Sequence, residues 1–346
     1  MNDRNRSSEA NSQVVIALGD PAGIGIEIIL KALGMKNLPT DMKPLLVGCK
    51  HTLELIYSRL HSQGVKNLAN PKKLTIIDIP FNETLQEGHP TRKTGEASFQ
   101  WLTKATEIVL NNEARALITA PIAKYAWQEA GHDYPGQTER LAELAGTDNH
   151  SMLFTAKSPY SSFRLNTLLA TTHIPLNAVV KTLSKELVIS KLNSLLSFCK
   201  KFKPNPRLAI AGINPHAGEK GNLGSEEIEW LIPVLENWRA KNPEIKLEGP
   251  ISPDTCWISS AKSWENGPQE HSPDGILALY HDQGLIPIKI IAFDYSVNTT
   301  LGLPFIRTSP DHGTGFDIAG KGIARAISMF SAIETAWELS EDNYTN

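Results

Sequence analysis

Short apolar runs alternate along this chain with longer stretches in which apolar residues recur every three or four positions. Residues 14–18 (Val-Val-Ile-Ala-Leu) form the first such run, and 44–48, 74–79, 116–120, 152–156, 164–171, 208–211 and 275–280 continue the series. Runs of this length bounded by turn-forming residues read as strands. Between them, 26–33, 96–110, 139–145, 176–202 and 226–240 carry helical spacing, and 323–330 reads as the start of a last helix. Strand–helix alternation predicts the α/β class with a mostly parallel sheet. The segment 259–274, rich in Ser, Glu, Gly, Pro and Gln, reads as a surface insertion.

The block 298–322 interrupts this rhythm. Gly302, Gly313, Gly315, Gly320 and Gly322 stand among Asn298, Arg307, Asp311, His312, Asp317 and Lys321. Glycine at that density is expected where the main chain turns sharply or approaches a ligand closely. A helix start behind such a loop would offer free N–H groups to an anion. A second glycine-rich loop, 19–25, joins the first strand to the first helix; it reads as a phosphate cradle or a tight structural turn. At 136–139, Gly-Gln-Thr-Glu marks a helix start, with Gln137 and Thr138 as neutral donors or Thr138 as a plain cap. No strand is followed by Gly-x-Gly-x-x-Gly with an acidic residue about twenty positions on, so the usual dinucleotide fingerprint is missing.

Three histidines share one placement. His173, His216 and His281 each follow an apolar strand-like run, and open α/β sheets bind ligands at that end of their strands. Three imidazoles converging on a divalent ion with one open position form a catalytic metal site, whereas a histidine taken singly is more often a hydrogen-bonded structural residue. Lys289 and Arg307 are candidates to neutralise phosphate or carboxylate. Asp254, in Gly-Pro-Ile-Ser-Pro-Asp-Thr, is a hydrogen-bond acceptor or a turn former.

Composition narrows the setting. With 34 basic and 37 acidic residues the net charge is −3, which gives no basis for non-specific binding to nucleic acid or an anionic membrane. No apolar run reaches the roughly 18–20 residues of a membrane helix. Residues 1–12 are polar, lack a signal-peptide core and read as a disordered tail. Cys49, Cys199 and Cys256 are too scattered for a disulfide framework or a Cys-x-x-Cys site, so a cytoplasmic location is expected.

Taken together, the ordered motifs resemble the 4-hydroxythreonine-4-phosphate dehydrogenase family of vitamin B6 biosynthesis. They are GDPAGIGIE (19–27), ITAPIAK (118–124), GQTE (136–139), TTHIPL (171–176), INPHAGEKGNLGSEE (213–227), GPISPDT (249–255), YHDQGLIPIK (280–289) and the block 298–322. The last also resembles the adenosine-binding loop of isocitrate and isopropylmalate dehydrogenases. The resemblance implies their two-domain α/β fold, with the active site in the interdomain cleft. One domain would comprise 13–131 with 303–346, the other, 132–302, carrying the dimer contacts and metal ligands. It implies NAD- or NADP-dependent oxidation of 4-phosphooxy-L-threonine at C3, then decarboxylation to 3-amino-2-oxopropyl phosphate. A divalent ion (Zn2+, Mg2+ or Co2+) would be held by His173, His216 and His281, shared between the chains of a homodimer. Substrate would lie on Gln137, Thr138, Lys289, Asn298 and Arg307, and the dinucleotide on Asp311, His312, Gly313, Asp317 and Gly320. Lys289 and Asp254 are the expected catalytic residues.

Two features depart from the family pattern. Gln137 replaces the usual histidine, which keeps a donor and an acceptor but removes titration near neutral pH. The 259–274 segment is longer than usual. The competing readings are a dehydrogenase of phosphothreonate or phosphoerythronate, and a phosphotransacetylase-like acyl transferase that would need neither nicotinamide nor a triple-histidine metal site.

Overall fold

The computed structural model describes residues 12–341, so the tail expected over 1–12 lies, apart from Ser12, outside the described residues. The strands are β1 (Gln13–Ala17), β2 (Lys43–Gly48), β3 (Thr75–Asp78), β4 (Ala116–Thr119), β5 (Ser151–Lys157), β6 (Arg164–Leu169), β7 (Arg207–Ala211), β8 (Lys246–Ile251), β9 (Gly275–Ala278), β10 (Val297–Leu301) and β11 (Ile306–Pro310). The helices are α1 (Gly25–Leu33), α2 (Lys50–Ser62), α3 (Arg92–Leu110), α4 (Lys124–Glu129), α5 (Gln137–Leu144), α6 (Leu176–Thr182), α7 (Lys185–Lys200), α8 (Ile232–Lys241), α9 (Ile258–Asn266), α10 (His281–Ala292) and α11 (Ile327–Ser340).

The chain divides into two compact units. One runs to His150 and resumes at Val297; the other is Ser151–Ser296. These points differ from the expected 131/132 and 302/303 for physical reasons. Leu141 of α5 packs into the first unit's core, and β10 hydrogen-bonds antiparallel to β11 within that same unit.

In the first unit the strand order is β3-β2-β1-β4-β11-β10, and every pair but the last is parallel. Val14–Ala17 are buried without exception, as a strand covered on both faces requires. A reciprocal capping box between Thr91 and Thr94 starts α3, which buries Trp101. In the second unit the order is β5-β6-β9-β7-β8, with only the β5–β6 hairpin antiparallel. Ile276, Leu277, Leu208 and Ile210 form the interior of that sheet.

Several local expectations are corrected. The long helix read over 176–202 is two, because Leu183 is extended and the Ser184 hydroxyl caps α7 by accepting from the Leu187 N–H at 3.1 Å. The supposed surface insertion contains α9, which buries Trp264 and Ser263. The last helix starts at Ile327 rather than 323, so Gly322 does not open directly into a helix. β8, β11 and α10 were hidden by glycine or proline inside their sequences, and β10 by its polar run Asn298-Thr299-Thr300.

The α3–α4 contact depends on one glycine. A Cβ on Gly95 would stand 2.1 Å from the Ala126 carbonyl oxygen, a backbone atom that cannot move aside cheaply. We expect Gly95→Ala to cost about 1–3 kcal/mol of unfolding free energy. Denaturant midpoints at unchanged slope would measure it. A variant as stable as the parent would show that this helix pair is loosely packed.

Candidate functional site

The first unit gathers its candidates around the end of β4. Arg307, on β11, is 3% exposed. Its Nε and Nη2 donate to the Thr119 hydroxyl at 3.2 and 2.8 Å, and Nη1 donates to the Thr300 hydroxyl at 3.0 Å. Burial lowers its pKa to about 10, opposed by the nearby Glu139 carboxylate, so the guanidinium remains cationic at neutral pH. Gln137, in the first turn of α5, donates from Nε2 to the Ala120 carbonyl at 3.1 Å. Its Oε1 is buried and has no hydrogen-bond partner among the described residues, and the same is true of Asn298 Oδ1 on β10. Gly136 is the N-cap of α5 and no side chain caps the helix, so Thr138 is not a cap. A buried cation on neutral hydroxyls, two open acceptors and an uncapped helix start are the chemistry that an anion also carrying donors would call for.

The remaining candidates of this unit lie on the segment after β11. The Asp311 N–H donates to the Ser328 hydroxyl at 3.0 Å. His312 is half-buried, with Nδ1 3.0 Å from the Gly313 carbonyl, and Asp317 and Gly313 are exposed. Gly320 has φ 82°, a left-handed value that favours glycine. The other glycine-rich loop, 19–25, packs against this segment, with the Ile24 N–H donating to the Thr314 carbonyl at 2.9 Å. A Cβ on Gly23 would stand 2.9 Å from that carbonyl oxygen, which favours the structural-turn reading of the loop.

In the second unit, the loops after β6 and β7 carry His173 and His216, and His281 opens α10 just after β9. The His173 and His281 rings lie 5.5 Å apart by centroid and line one cavity of about 250 Å³ with Thr171, Tyr280 and Asp282. His281 Nδ1 is 2.7 Å from the Asp282 carboxylate, the type of contact that leaves the other ring nitrogen for a metal. His216 does not join this pair. Its Nδ1 is 3.5 Å from the Ser252 hydroxyl, which donates to Asp254 Oδ1 at 2.5 Å. That bond, partly offset by desolvation, holds the Asp254 carboxyl below its usual range. Asp254 thus stands beside His216, and Lys289, on α10, has its ammonium 5.6 Å from the Phe293 ring centre. Among the described residues no group of three or more His, Cys, Asp or Glu is placed to hold a metal ion.

The backbone around the histidines is strained. His173 and His216 have φ of 49° and 51°, and Ala217, Glu219 and Lys220 continue in the left-handed region. Such residues persist when their surroundings over-determine them, and they cluster at functional sites. Glu227 supplies that restraint: its buried Oε1 accepts the N–H groups of Ile213 and Asn214, both at 2.8 Å. Gln283 ties the ends of two strands, accepting from the Leu279 N–H and donating to the Gly212 carbonyl, each at 2.7 Å. Glu227, Gln283 and Thr119 were not singled out in sequence, although each lies inside a quoted motif.

Ligand-type side chains at the C-terminal ends of parallel strands define an α/β protein of the class that binds its ligand there. The pyridoxal phosphate biosynthetic protein PdxA family model matches residues 40–336. A 4-hydroxythreonine-4-phosphate dehydrogenase of Synechococcus sp. (strain RCC307) is 55% identical over 95% of this chain and 99% of its own length. Its counterpart from Aquifex aeolicus is 39% identical over 95% and 98%. The crystal structure of the Klebsiella pneumoniae 4-hydroxythreonine-4-phosphate dehydrogenase superposes with a TM-score of 0.78 at 35% identity, covering 95% of this chain and 98% of that one. This chain belongs to the PdxA family. A branched-chain phosphotransacylase from Enterococcus faecalis, at TM-score 0.56 and 12% identity, shares the fold alone.

Asp20 was passed over in sequence as part of a turn. It has no exposed surface, and its carboxylate accepts from the Ala22 N–H at 2.9 Å and the Thr94 hydroxyl at 3.3 Å. Burial pushes its pKa up to about 6, against the lowering effect of those bonds. A raised folded-state pKa means that the folded chain holds the proton more tightly, so stability is lost as pH rises from about 4 to about 6. Asp20→Asn should therefore be more stable than the parent above pH 6, by on the order of 3 kcal/mol at most. The gain should fade toward pH 4. Equal stability of the two proteins at pH 8 and pH 4, by denaturant melts, would contradict this.

Proposed function

We propose that this chain oxidises 4-phosphooxy-L-threonine at C3 with NAD or NADP and releases carbon dioxide to give 3-amino-2-oxopropyl phosphate, as a homodimer. The observation that carries this reading is Arg307, a buried cation whose hydrogen bonds go to the hydroxyls of Thr119 and Thr300. A charge removed from water and left on neutral partners is stabilised when an anionic ligand arrives, and charge-assisted bonds to phosphate or carboxylate are the strong ones.

In this reading Arg307 and the start of α5 hold the anionic part of the substrate. Gln137 Oε1 and Asn298 Oδ1 accept from its ammonium or hydroxyl protons. Gln137 does this at any pH near neutral, since its amide does not titrate. Lys289 assists the reacting oxygen by charge or proton transfer, and Asp254, through Ser252, orients His216. When bound, a divalent ion would supply Lewis acidity that favours alcohol deprotonation, and a nicotinamide would accept the hydride. His173 and His281 suit two positions on one such ion, with the dinucleotide assigned to Asp311, His312, Gly313, Asp317 and Gly320.

One chain brings only two of the three histidines together, so the third ligand is assigned to a second copy. The exposed face of α10 supports such a partner: Ile286 and Ile290, and Phe293 just past the helix end, are exposed, Ile290 by 79%, and Ile174, Leu176 and Val180 are exposed near His173. Apolar surface of this kind marks interaction sites.

The direct test is turnover of 4-phosphooxy-L-threonine by purified protein with each nicotinamide cofactor and a divalent metal. No reduction of either cofactor would end this reading. Faster turnover of 4-phosphoerythronate would favour the paralogous dehydrogenase. Arg307→Ala should raise the substrate KM roughly 10- to 100-fold, as loss of about 1.5–3 kcal/mol implies, while dinucleotide affinity holds. Equal weakening of both ligands would place Arg307 elsewhere in the site.

Mixing inactive variants tests the shared site. His216→Ala with His281→Ala puts both lesions in one site of a mixed dimer and leaves the other intact, so up to about half of the activity per mixed dimer should return. His173→Ala with His281→Ala should recover nothing. The reverse pattern, with subunit exchange verified, would assign the cross-chain ligand wrongly.

A further inference from the structure

The end of the glycine-rich segment is held by one lysine. Lys31, in the last turn of α1, donates from its ammonium to Glu27 Oε1 at 2.7 Å, to the Gly322 carbonyl at 2.9 Å and to the Ala324 carbonyl at 2.8 Å. These contacts use all three of its protons. Glu27, itself 2% exposed, completes the ring by accepting the Ala324 N–H on the same Oε1 at 2.9 Å.

Neighbouring ties act on the same stretch. The Gln63 amide donates to the Gly320 carbonyl at 2.9 Å. Arg59 pairs with Glu87, and a Cβ on Gly320 would lie within 3.6 Å of both side chains. At the other end, the Ile24 N–H holds the Thr314 carbonyl. Asp317 and Gly320 lie on the span between these anchors. A glycine-rich strip of backbone has much conformational freedom to lose, and binding a ligand to a loose strip would take that ordering out of the affinity. Four charged side chains and two helices are arranged so that the strip is already ordered.

We propose that the Glu27–Lys31 pair is a positioning device for the dinucleotide: neither residue touches the ligand, and together they hold the backbone that does. This rests on the assignment of Asp311–Gly320 to the dinucleotide. Lys31→Met keeps the aliphatic stem and removes all three donors. NADH and NADPH, titrated by fluorescence onto the substrate-free enzyme, should bind about tenfold more weakly or worse to the variant. The KM for 4-phosphooxy-L-threonine and kcat at saturating dinucleotide should stay near the parent's. Trypsin cleavage after the exposed Lys321 should accelerate in the variant while cleavage elsewhere does not. If Lys31→Met leaves Glu27 too poorly compensated to fold, the double variant Glu27→Gln with Lys31→Met carries the same test, because the new amide is uncharged and its oxygen still accepts from the Ala324 N–H.

Unchanged dinucleotide affinity overturns the proposal. So does an equal loss of affinity for substrate and dinucleotide, which would show a structural role only. Asp317→Ala separates the proposal from the reading beneath it. If Asp317→Ala weakens NADH binding and Lys31→Met does not, the positioning role alone is wrong. If neither does, the segment is not the dinucleotide site and both ideas fall.

Discussion

The burial of the Arg307 guanidinium is the constraint on which the first unit turns. A charge this far from water is costly unless its donors are satisfied and an opposite charge is near. Here the donors go to hydroxyls on two different strands, Thr119 of β4 and Thr300 of β10, while Glu139 approaches from α5. One side chain therefore fixes the relative placement of three strands and a helix start. The polar groups around it, Gln137 Oε1 and Asn298 Oδ1, are left open in the same neighbourhood of the unit.

The second unit solves a different problem by a related means. It must hold imidazoles at strand ends on backbone that L-residues disfavour. Buried carboxylate and amide groups do this: Glu227 takes two consecutive N–H groups at the root of the His216 loop, and Gln283 joins the ends of β7 and β9. In the second unit, buried polar side chains bonded to the main chain set the course of the histidine-bearing segments; in the first, the buried Arg307 ties strands together through hydroxyls.

This division explains what could be read from the chain. The α/β class was legible because buried parallel strands such as 14–17 are continuous apolar runs, and the histidines were legible because they follow such runs. β10 and β11 were not, since Gly302 and Pro304 break the pattern between them, Asn298 and Thr300 make β10 polar, and Arg307 stands within β11. α10 was missed for the same reason: Gly284 packs against Leu169 and Ala278, and Pro287 sits within the helix. Turn, packing and polar residues interrupt the local signal in both places. The pairing of His173 with His281, and the isolation of His216, depend on loop backbone angles that no spacing encodes.

The chain order of the first unit has a further consequence for how the protein is made. β11 lies between β4 and β10, yet it is synthesised long after β4, with the whole of 151–296 intervening. During synthesis one edge of β4 has its N–H and C=O groups without their eventual partner while the second unit is already complete in sequence. Domains fold as units as they emerge, so 151–296 can finish while the first unit waits with an exposed sheet edge. Closing that edge forms contacts between residues nearly two hundred positions apart, the slow kind in folding. Arg307 enters its buried position in that same late step, so its charge is desolvated only when the strands that hold it come together.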